Sequence, residues 1–452
     1  IPDEEVKSDL AKKHPYEVWL NKHRIVLSNL PKAKAEELGE GNLMPKMRAF
    51  GYTYETMQFM LLPMIKELRD PLGSMGNDAA LAVVSKKPRM LYDYFKQRFA
   101  QVTNPAIDSI REEVIMALGC YVGPEKNLLK PSPEHAQRLH LPHPILSNEQ
   151  LGALKNLDYR GWKTRTIDIT FPSNSGSQGL SKALNKITLE ATRAVEEGYS
   201  IIVLSDRGVS LNRVAIGSLL AVGTVHHALV EAYSRTRIGL ILETGEAREV
   251  HHHCLLFGYG VDGVNPYLAF ESLWNERRSG RLNDYDHISS DDDIVDAYKK
   301  AVGKGMLKVM AKMGISTLQS YKGAQIFEIV GLAGEVVDLA FRGTASRIEG
   351  VGMDVLSQEM QSRHDLGFSQ NNIIPINSLP NPGDFHWRRG GDAHMWDPFS
   401  VSMLQEAARE NSEDAYWKFS KQVNEKNTRD ATLRGLLSFK KTNSIDIDEV
   451  ET

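Results

Sequence analysis

Blocks of apolar residues alternate along this chain with amphipathic stretches, in an order that predicts strands followed by helices. Residues 199–206 contain an apolar run flanked by polar residues and predict a buried strand, and residues 237–243 predict a second one. A further unit of the same kind continues through residues 250–257 and 263–267. A strand, a helix and a strand within about 45 residues are typical of a right-handed crossover between parallel strands.

The helix between the first two strands is predicted to begin at a serine cap. Ser210 can accept a hydrogen bond from the first turn, and the apolar face then contains Val214, Leu219, Leu220 and Val225. The nearly apolar run 214–225 is too short to span a bilayer, so we interpret it as a core helix.

Residues 305–328 carry the most informative local pattern. A helical apolar stripe ends at Gly314, which can adopt the left-handed cap conformation. Residues 315–318 then predict a brief strand, and Gly323 is predicted to open another helix. This order suits a (β/α) barrel, in which functional side chains follow the strand. Lys322 is expected to face solvent or a helix end.

The polar stretch 276–292 suggests a domain boundary. We expect a charged helical region over residues 1–60, a central α/β domain over 61–280 and a second α/β domain over 281–452. Ser290 is predicted to cap the first helix of that second domain, and residues 401–440 are predicted to be helical. The fold class is therefore α/β, with a parallel α/β domain followed by the first part of a (β/α)8 barrel.

Composition narrows the classes of function. The chain has 452 residues, 41% of them hydrophobic and 25% charged, which describes an ordinary soluble globular protein. A net charge of -4 offers no electrostatic attraction for nucleic acid or an anionic membrane. Two cysteines fit a reducing, intracellular setting, with cytoplasm and organelle both open. From both ends of the sequence we expect an internal piece of a larger polypeptide.

Two further patterns resemble ligand-binding motifs, but each has a purely structural explanation. The histidines at 226, 227 and 251–253 suggest a metal, but neighbours on one strand point to opposite faces, so we expect no metal site. Residues 258–263 match G-x-G-x-x-G, yet the dinucleotide motif must open a helix, and Pro266 argues against a helix that starts directly after Gly263. We interpret the match as a helix-to-strand turn, with an independent nucleotide-binding protein as a distant alternative.

Several long motifs resemble glutamate synthase, and together they cover nearly the whole chain. In the central region they are PLGSMGND at 71–78, QRFAQVTNP at 97–105, IREE at 110–113, GPEKNL at 123–128, LSDR at 204–207 and REVHH at 248–252. They continue with the stretch 305–328, GTASR at 343–347, LPNPG at 379–383 and DPF at 397–399.

The resemblance implies a large enzyme built from several domains. An amidotransferase domain frees ammonia from glutamine, a tunnel carries it to 2-oxoglutarate, and FMN reduces the resulting 2-iminoglutarate to L-glutamate. The chain would hold the tail of the amidotransferase region, the central domain and the start of the FMN-binding barrel. The implied partners are the remaining domains and an electron donor, either ferredoxin or an NAD(P)H-linked flavoprotein portion.

The departures from the family pattern are equally informative. The cysteines of the family's iron–sulfur cluster are absent here, as are its glycine-rich flavin segment and nucleophilic cysteine. We therefore expect the chain alone to be inactive, and an alternative is a non-catalytic scaffold that walls the ammonia tunnel. No catalytic residue is assigned. Flavin contacts, if present, are expected after the first barrel strand, from Ser316, Gln319, Ser320, Tyr321 and Gln325. These residues equally suit the floor or loops of a barrel.

Overall fold

The computed structural model describes residues 1–31, 33–34, 36–39, 41–71, 77–98, 108, 110–368, 378–440 and 446–447. Contacts divide the chain into two units. The first comprises Ile1–Gly73 with Pro88–Pro380, and the second comprises Ser74–Lys87 with Asn381–Thr452. The predicted boundary at residue 280 falls inside the first unit, and the division into three domains stays a prediction.

The main sheet of the first unit has five strands, four of them parallel. Their order in space is Gly263–Asn265, Gly239–Glu243, Ile201–Ser205, Trp162–Asp168 and Asp158–Tyr159, with the last two forming an antiparallel hairpin. The strands Ile201–Ser205 and Gly239–Glu243 are buried along their whole length. Strands covered on both faces show unbroken apolar runs, which explains why the sequence predicted them and their parallel pairing correctly.

Helices connect these strands. They are Gly176–Glu196, Ser218–Glu231 and Val250–Gly258, and the helix Tyr267–Arg278 follows the strand Gly263–Asn265. The predicted serine cap at Ser210 is wrong, since the helix begins eight residues later and Val214 lies on the strand Arg213–Ala215, which pairs with Thr170–Pro172. The backbone N–H of Ser218 donates instead to Glu246, a distant carboxylate that no local pattern reveals.

Two smaller three-stranded sheets accompany the main one. The first contains Ile25–Val26, Leu139–Leu141 and Cys120–Val122, and the second contains Ala345–Val351, Phe327–Leu332 and Phe95–Gln97. In the second sheet, the helix Gly334–Ala340 joins the parallel strands Phe327–Leu332 and Ala345–Val351. The described residues therefore form a mixed α/β fold with parallel strands, and none of their sheets closes into a barrel.

The helix Asp291–Met313 has both ends that the sequence predicted. Ser290 accepts a hydrogen bond from the N–H of Asp293, and Gly314 ends the helix with a φ of 70°. The strand predicted at residues 315–318 is wrong: Thr317 forms one isolated bridge to Ala117, and then caps the short helix Leu318–Tyr321.

The helix predicted to open at Gly323 is also wrong, because the strand Phe327–Leu332 follows this glycine instead. Side chains along its first half alternate between buried and half-buried, which is the two-residue period of a strand. Gly323 and Gln325 both have positive φ, so the chain turns sharply before the strand begins.

The other α-helices of the first unit are Asp3–Lys12, Tyr16–His23, Leu43–Ala49, Leu62–Glu67, Arg111–Ile115, Asn148–Lys155 and Met353–Phe368. The described part of the second unit contains the helices Pro398–Glu410, Glu413–Lys421 and Thr428–Ala431, so the helical prediction for residues 401–440 is confirmed except at its end, where residues 437–440 are not helical. Of the helices that the structure describes, none combines the length and the apolar character needed to cross a bilayer.

Candidate functional site

Polar side chains gather where the parallel strands of the main sheet end. The strand register places Asp168, Ser205, Glu243 and Asn265 in one row across the sheet. Open parallel sheets bind ligands in the crevice outside the carboxyl ends of their strands. This edge of the sheet is therefore the candidate functional site.

Glu243 is the centre of an ionic cluster at this edge. Its side chain is 1% exposed, and it accepts hydrogen bonds from Arg207 Nε at 2.5 Å and Ser205 Oγ at 2.5 Å. Lys155 Nζ lies 2.7 Å from the second carboxylate oxygen. A buried carboxylate with two cationic partners fixes the positions of both cations, since the loss of any partner would leave a charge unpaired in the interior.

Asp206 lies fully buried beside this cluster. Its carboxyl group accepts hydrogen bonds from Thr244 Oγ1 at 2.7 Å and from the backbone N–H of Gly245. Burial, aided by the nearby charge of Glu246, raises its pKa from 3.8 to about 7, although the hydrogen bonds from Thr244 and Gly245 act in the opposite direction. The side chain can therefore hold a proton near neutral pH, but it is closed off from solvent.

Two further charged residues are bound to the backbone. Glu246 accepts from the N–H of Ser218 at 2.7 Å, where a negative charge complements the N-terminus of the helix Ser218–Glu231. Arg248 donates to the carbonyl oxygens of Phe50, Gly51 and Glu246 and lies 4.5 Å from the ring centre of Tyr52. Both side chains are about 5% exposed. Their contacts are those of structural residues.

A small cavity of about 90 Å³ opens next to the Glu243 cluster. One wall is a face of the helix Asn148–Lys155, and the other walls come from Lys34, Glu36, Arg207 and Glu243. The backbone carbonyl of Glu36 accepts hydrogen bonds from Asn148 and Arg207, which hold this segment over the sheet edge.

Some buried polar atoms near this edge lack hydrogen-bond partners among the described residues. They include Asn265 Oδ1 and Glu271 Oε1. Burial raises the pKa of Glu271 above its ordinary value, although its other oxygen accepts from the backbone N–H of Leu38 at 2.8 Å. Such orphaned atoms are usual sites of ordered water.

The five predicted flavin-contact residues lie elsewhere, around the short helix Leu318–Tyr321. Gln319, Ser320 and Gln325 are exposed, Ser316 is half-buried, and Tyr321 is 1% exposed. The Tyr321 ring packs near Gly258, and its hydroxyl lies beside the Cys254 thiol, whose pKa burial raises to about 12.

Lys322 does not face solvent as predicted. Its ammonium group pairs with Asp262, which also receives Arg235 Nη2 at 3.2 Å. Burial of Asp262 favours the neutral carboxyl group, but the charges of Lys322 and Arg235 outweigh it and lower its pKa to about 2. This ion cluster anchors the segment after the short helix to the turn that precedes the strand Gly263–Asn265.

The five histidines considered for a metal site lie on helices rather than on a strand. His251, His252 and His253 belong to the helix Val250–Gly258, so the rule that neighbours on a strand point to opposite faces does not apply to them. His251 contacts the carbonyl of Tyr92, His252 pairs with Glu249, and His253 contacts Tyr298. No group of metal ligands occurs among the described residues.

The G-x-G-x-x-G match at residues 258–263 is a helix-to-strand turn, as predicted. The helix Val250–Gly258 ends at its first glycine and the strand Gly263–Asn265 begins at its last. A dinucleotide motif has the opposite order. Of the motifs at 71–78 and 97–105, residues 72–76 and 99–105 lie outside the described part of the chain.

Sequence reasoning did not identify the cluster around Glu243. Its clearest signal was an acidic residue directly at the end of each apolar run, at Asp206 and Glu243. The contributions of Lys155 and Lys46 had no such signal, because they come from segments far away along the chain. Lys46 donates to the carbonyl of Arg207 at 2.9 Å, and burial lowers its pKa.

Comparison with known proteins gives a consistent family. The family model of the glutamate synthase central domain matches residues 45–333. The chain is 44% identical, over all of its length, to the glutamate synthase (NADH) of Schizosaccharomyces pombe and covers 22% of that protein. It is 41% identical, again over all of its length, to the glutamate synthase (NADPH) large chain of Bacillus subtilis and covers 29% of it.

A ferredoxin-dependent relative matches as well. Over 99% of the chain, the identity to the chloroplastic ferredoxin-dependent glutamate synthase of Spinacia oleracea is 38%, and 28% of that protein is covered. Among solved structures, a flavocytochrome b2 with sulfite bound aligns with 76% of this chain and 99% of its own, at 11% identity and a TM-score of 0.32, which is too low to support any argument.

The chain spans about a quarter of the length of these curated relatives. The family model covers more than half of the chain, and it includes the whole main sheet and the ionic cluster at its edge. The chain therefore belongs to the glutamate synthase family.

Proposed function

We propose that this chain is the middle portion of a glutamate synthase. The parent polypeptide would make two molecules of L-glutamate from L-glutamine and 2-oxoglutarate, by channelling ammonia and reducing 2-iminoglutarate with FMN. Similarity over the whole of this chain to relatives with this name supports the proposal. Relatives named for NADH, NADPH and ferredoxin leave the electron donor of this parent open.

The contribution of this chain is that of a non-catalytic scaffold, which can wall an ammonia tunnel in the parent. One observation carries this part of the proposal: the buried acids at the carboxyl edge of the main sheet are bonded to protein groups. Asp206 binds Thr244 and Gly245, and Glu246 binds the first turn of a helix. A general acid or base must come within hydrogen-bond reach of its substrate, and neither side chain is exposed.

The flavin contacts remain a proposal for one short segment. Gln319 and Ser320 present an exposed amide and hydroxyl, which suit the polar edge of a flavin ring, while Tyr321 packs beneath them in the core. This fit is partial, because the five proposed residues include no cation to hold a phosphate. Bound FMN would supply the hydride, and these side chains would only orient the ring.

The scaffold assignment is tested by titrating the purified 452-residue chain with FMN and following fluorescence quenching. We expect no saturable quenching, because the proposed contacts form only part of a site. Saturation near micromolar affinity, about -8 kcal/mol, would overturn the assignment of a scaffold without cofactor. Far-UV circular dichroism of the same sample verifies that the chain is folded.

The flavin contacts are tested in the full-length parent protein. We expect Gln319→Ala and Ser320→Ala to lower the FMN content of the purified protein. Gln178→Ala and Ser181→Ala are matched controls, because both residues are exposed on the helix Gly176–Glu196. Equal FMN content in all four variants would show that residues 316–325 do not contact the cofactor.

A further inference from the structure

We propose that the cavity beside Glu243 binds a small carboxylate anion. It lies between the helix Asn148–Lys155 and the carboxyl edge of the main sheet, and its volume of about 90 Å³ holds several waters or one small organic anion. The site is separate from the segment 316–325, so it does not depend on the flavin proposal.

The walls of this cavity are held in place by the fold. The helix Asn148–Lys155 begins at Ser147, whose hydroxyl accepts from the N–H of Gln150, and it presents one face to the cavity. The chain passes close above Gly152, where an added Cβ would lie 3.0 Å from Ala33. The hydrogen bonds to the carbonyl of Glu36 then close the opposite side.

Two cations at the cavity have N–H groups that their contacts within the described chain do not fully use. Lys155 Nζ has three hydrogens, and its contacts within the described chain are Glu243 at 2.7 Å and, more loosely, Glu36 at 3.5 Å. Arg207 donates through Nε to Glu243 and through Nη2 to the Glu36 carbonyl, while Nη1 comes no closer than 3.6 Å to a carboxylate of the described residues. An incoming anion therefore finds oriented N–H groups.

The charge of the lining also favours an anion. The lining contains three cations, Lys34, Lys155 and Arg207, and two carboxylates, Glu36 and Glu243. Glu243 and Glu36 both lie against Lys155 and Arg207, and Glu271 lies 3.6 Å from Arg207 Nη1, so the excess positive charge of the lining comes from Lys34. Arginine presents its donors as a planar fork, which matches the two oxygens of a carboxylate.

Two classes of carboxylate ligand fit the side chains that line this cavity. A simple acid would use only Lys155 and Arg207, whereas an amino acid would also place its ammonium group against the exposed carboxylate of Glu36. Acetate and glycine are therefore the probes, because they share the carboxylate and differ in the ammonium group. Inorganic phosphate tests whether the site prefers a different anion.

The test is isothermal titration calorimetry of the full 452-residue chain at constant ionic strength. We expect saturable binding of acetate or glycine in the millimolar range, as is usual for ligands of so few atoms. Lys155→Met keeps most of the side-chain stem and should weaken binding about tenfold or more, because it removes a charge-assisted hydrogen bond. Lys182→Met is the matched control, since Lys182 is exposed on the helix Gly176–Glu196.

Each outcome decides the proposal. Tighter binding of glycine identifies an amino acid, and equal or tighter binding of acetate identifies a simple acid. A folded chain that binds neither, that binds phosphate alone, or that binds equally well after Lys155→Met and Lys182→Met overturns the site. If Lys155→Met fails to fold, Lys34→Met replaces it, because Lys34 lines the same cavity from an exposed position.

Discussion

Asp206 is fully buried at the end of the strand Ile201–Ser205, and its ordinary pKa of 3.8 is raised to about 7 by burial. Between these two values the folded chain keeps a proton that the unfolded chain has already lost. Stability from this group is therefore complete below about pH 4 and declines as the pH rises through 7. The nearby charge of Glu246 contributes to this upward shift of the pKa, whereas the hydroxyl of the buried Tyr267 opposes it.

Asp206→Asn should remove this dependence, because asparagine resembles the protonated acid and cannot ionise. We expect the variant to gain more than about 1 kcal/mol of unfolding free energy relative to the native chain between pH 5 and pH 8. Urea unfolding at pH 5, 6, 7 and 8 measures the difference. Asp338→Asn, at an exposed position, should show no such trend. A constant difference between Asp206→Asn and the native chain would mean that Asp206 is ionised throughout.

At the scale of the element, sequence patterns correctly predicted the strands and caps that depend only on neighbouring residues. The strands Ile201–Ser205 and Gly239–Glu243 were recognisable because both of their faces are apolar. The cap at Gly314 was recognisable because glycine readily adopts the left-handed conformation that ends a helix. Ser210 failed as a cap because Glu246, far along the chain, performs that role. Residues 315–318 failed as a strand because Thr317 caps a helix instead.

The candidate site was harder to predict for the same reason. Ser205 and Glu243 meet across the sheet although 38 positions separate them, and Lys155 reaches the same carboxylate from a different helix. Which side chains meet at a sheet edge depends on strand register and crossover packing. A sequence shows the acidic residue after each strand, but not the cation that will neutralise it.

The long helix Asp291–Met313 gives a prediction about packing. Gly305 faces Val250, and a Cβ at that position would lie 2.3 Å from Val250 Cγ2. Alanine raises intrinsic helix stability by about 1 kcal/mol over glycine, but overpacking costs about 1–3 kcal/mol. We expect Gly305→Ala to lower the unfolding free energy by about 1 kcal/mol, as measured in urea.

The double variant Gly305→Ala with Val250→Ala should recover stability relative to the sum of the single changes, because the smaller side chain at 250 makes room for the new methyl group. Lys300→Ala, at an exposed position of the same helix, should change the unfolding free energy little. Strict additivity of the two single changes would show that the helix shifts to relieve the contact instead.

At the scale of the whole molecule, the second unit differs from the first in how its large apolar side chains are buried. Several of its large apolar side chains are exposed: Trp396 by 50%, Phe399 by 47%, Tyr416 by 52% and Trp417 by 61%. Its buried residues include small or polar ones such as Ala415, Ser400 and Asn427. Burial of apolar area is the main source of stability, so the described part of this unit should open at a lower free energy than the main sheet of the first unit.

Native-state hydrogen exchange tests this expectation with two well-capped helices. Pro398–Glu410 and Asp291–Met313 both begin with a capping residue that accepts from the third helical N–H, so their ends are comparable. Only the second has a continuous buried face, which includes Ile294, Tyr298, Val302 and Met306. We expect backbone amides of Pro398–Glu410 to exchange at least about tenfold faster, because they open without breaking a large apolar core. Equal protection of the two helices would mean that the aromatic side chains of the second unit contribute far more to its stability than their exposure indicates.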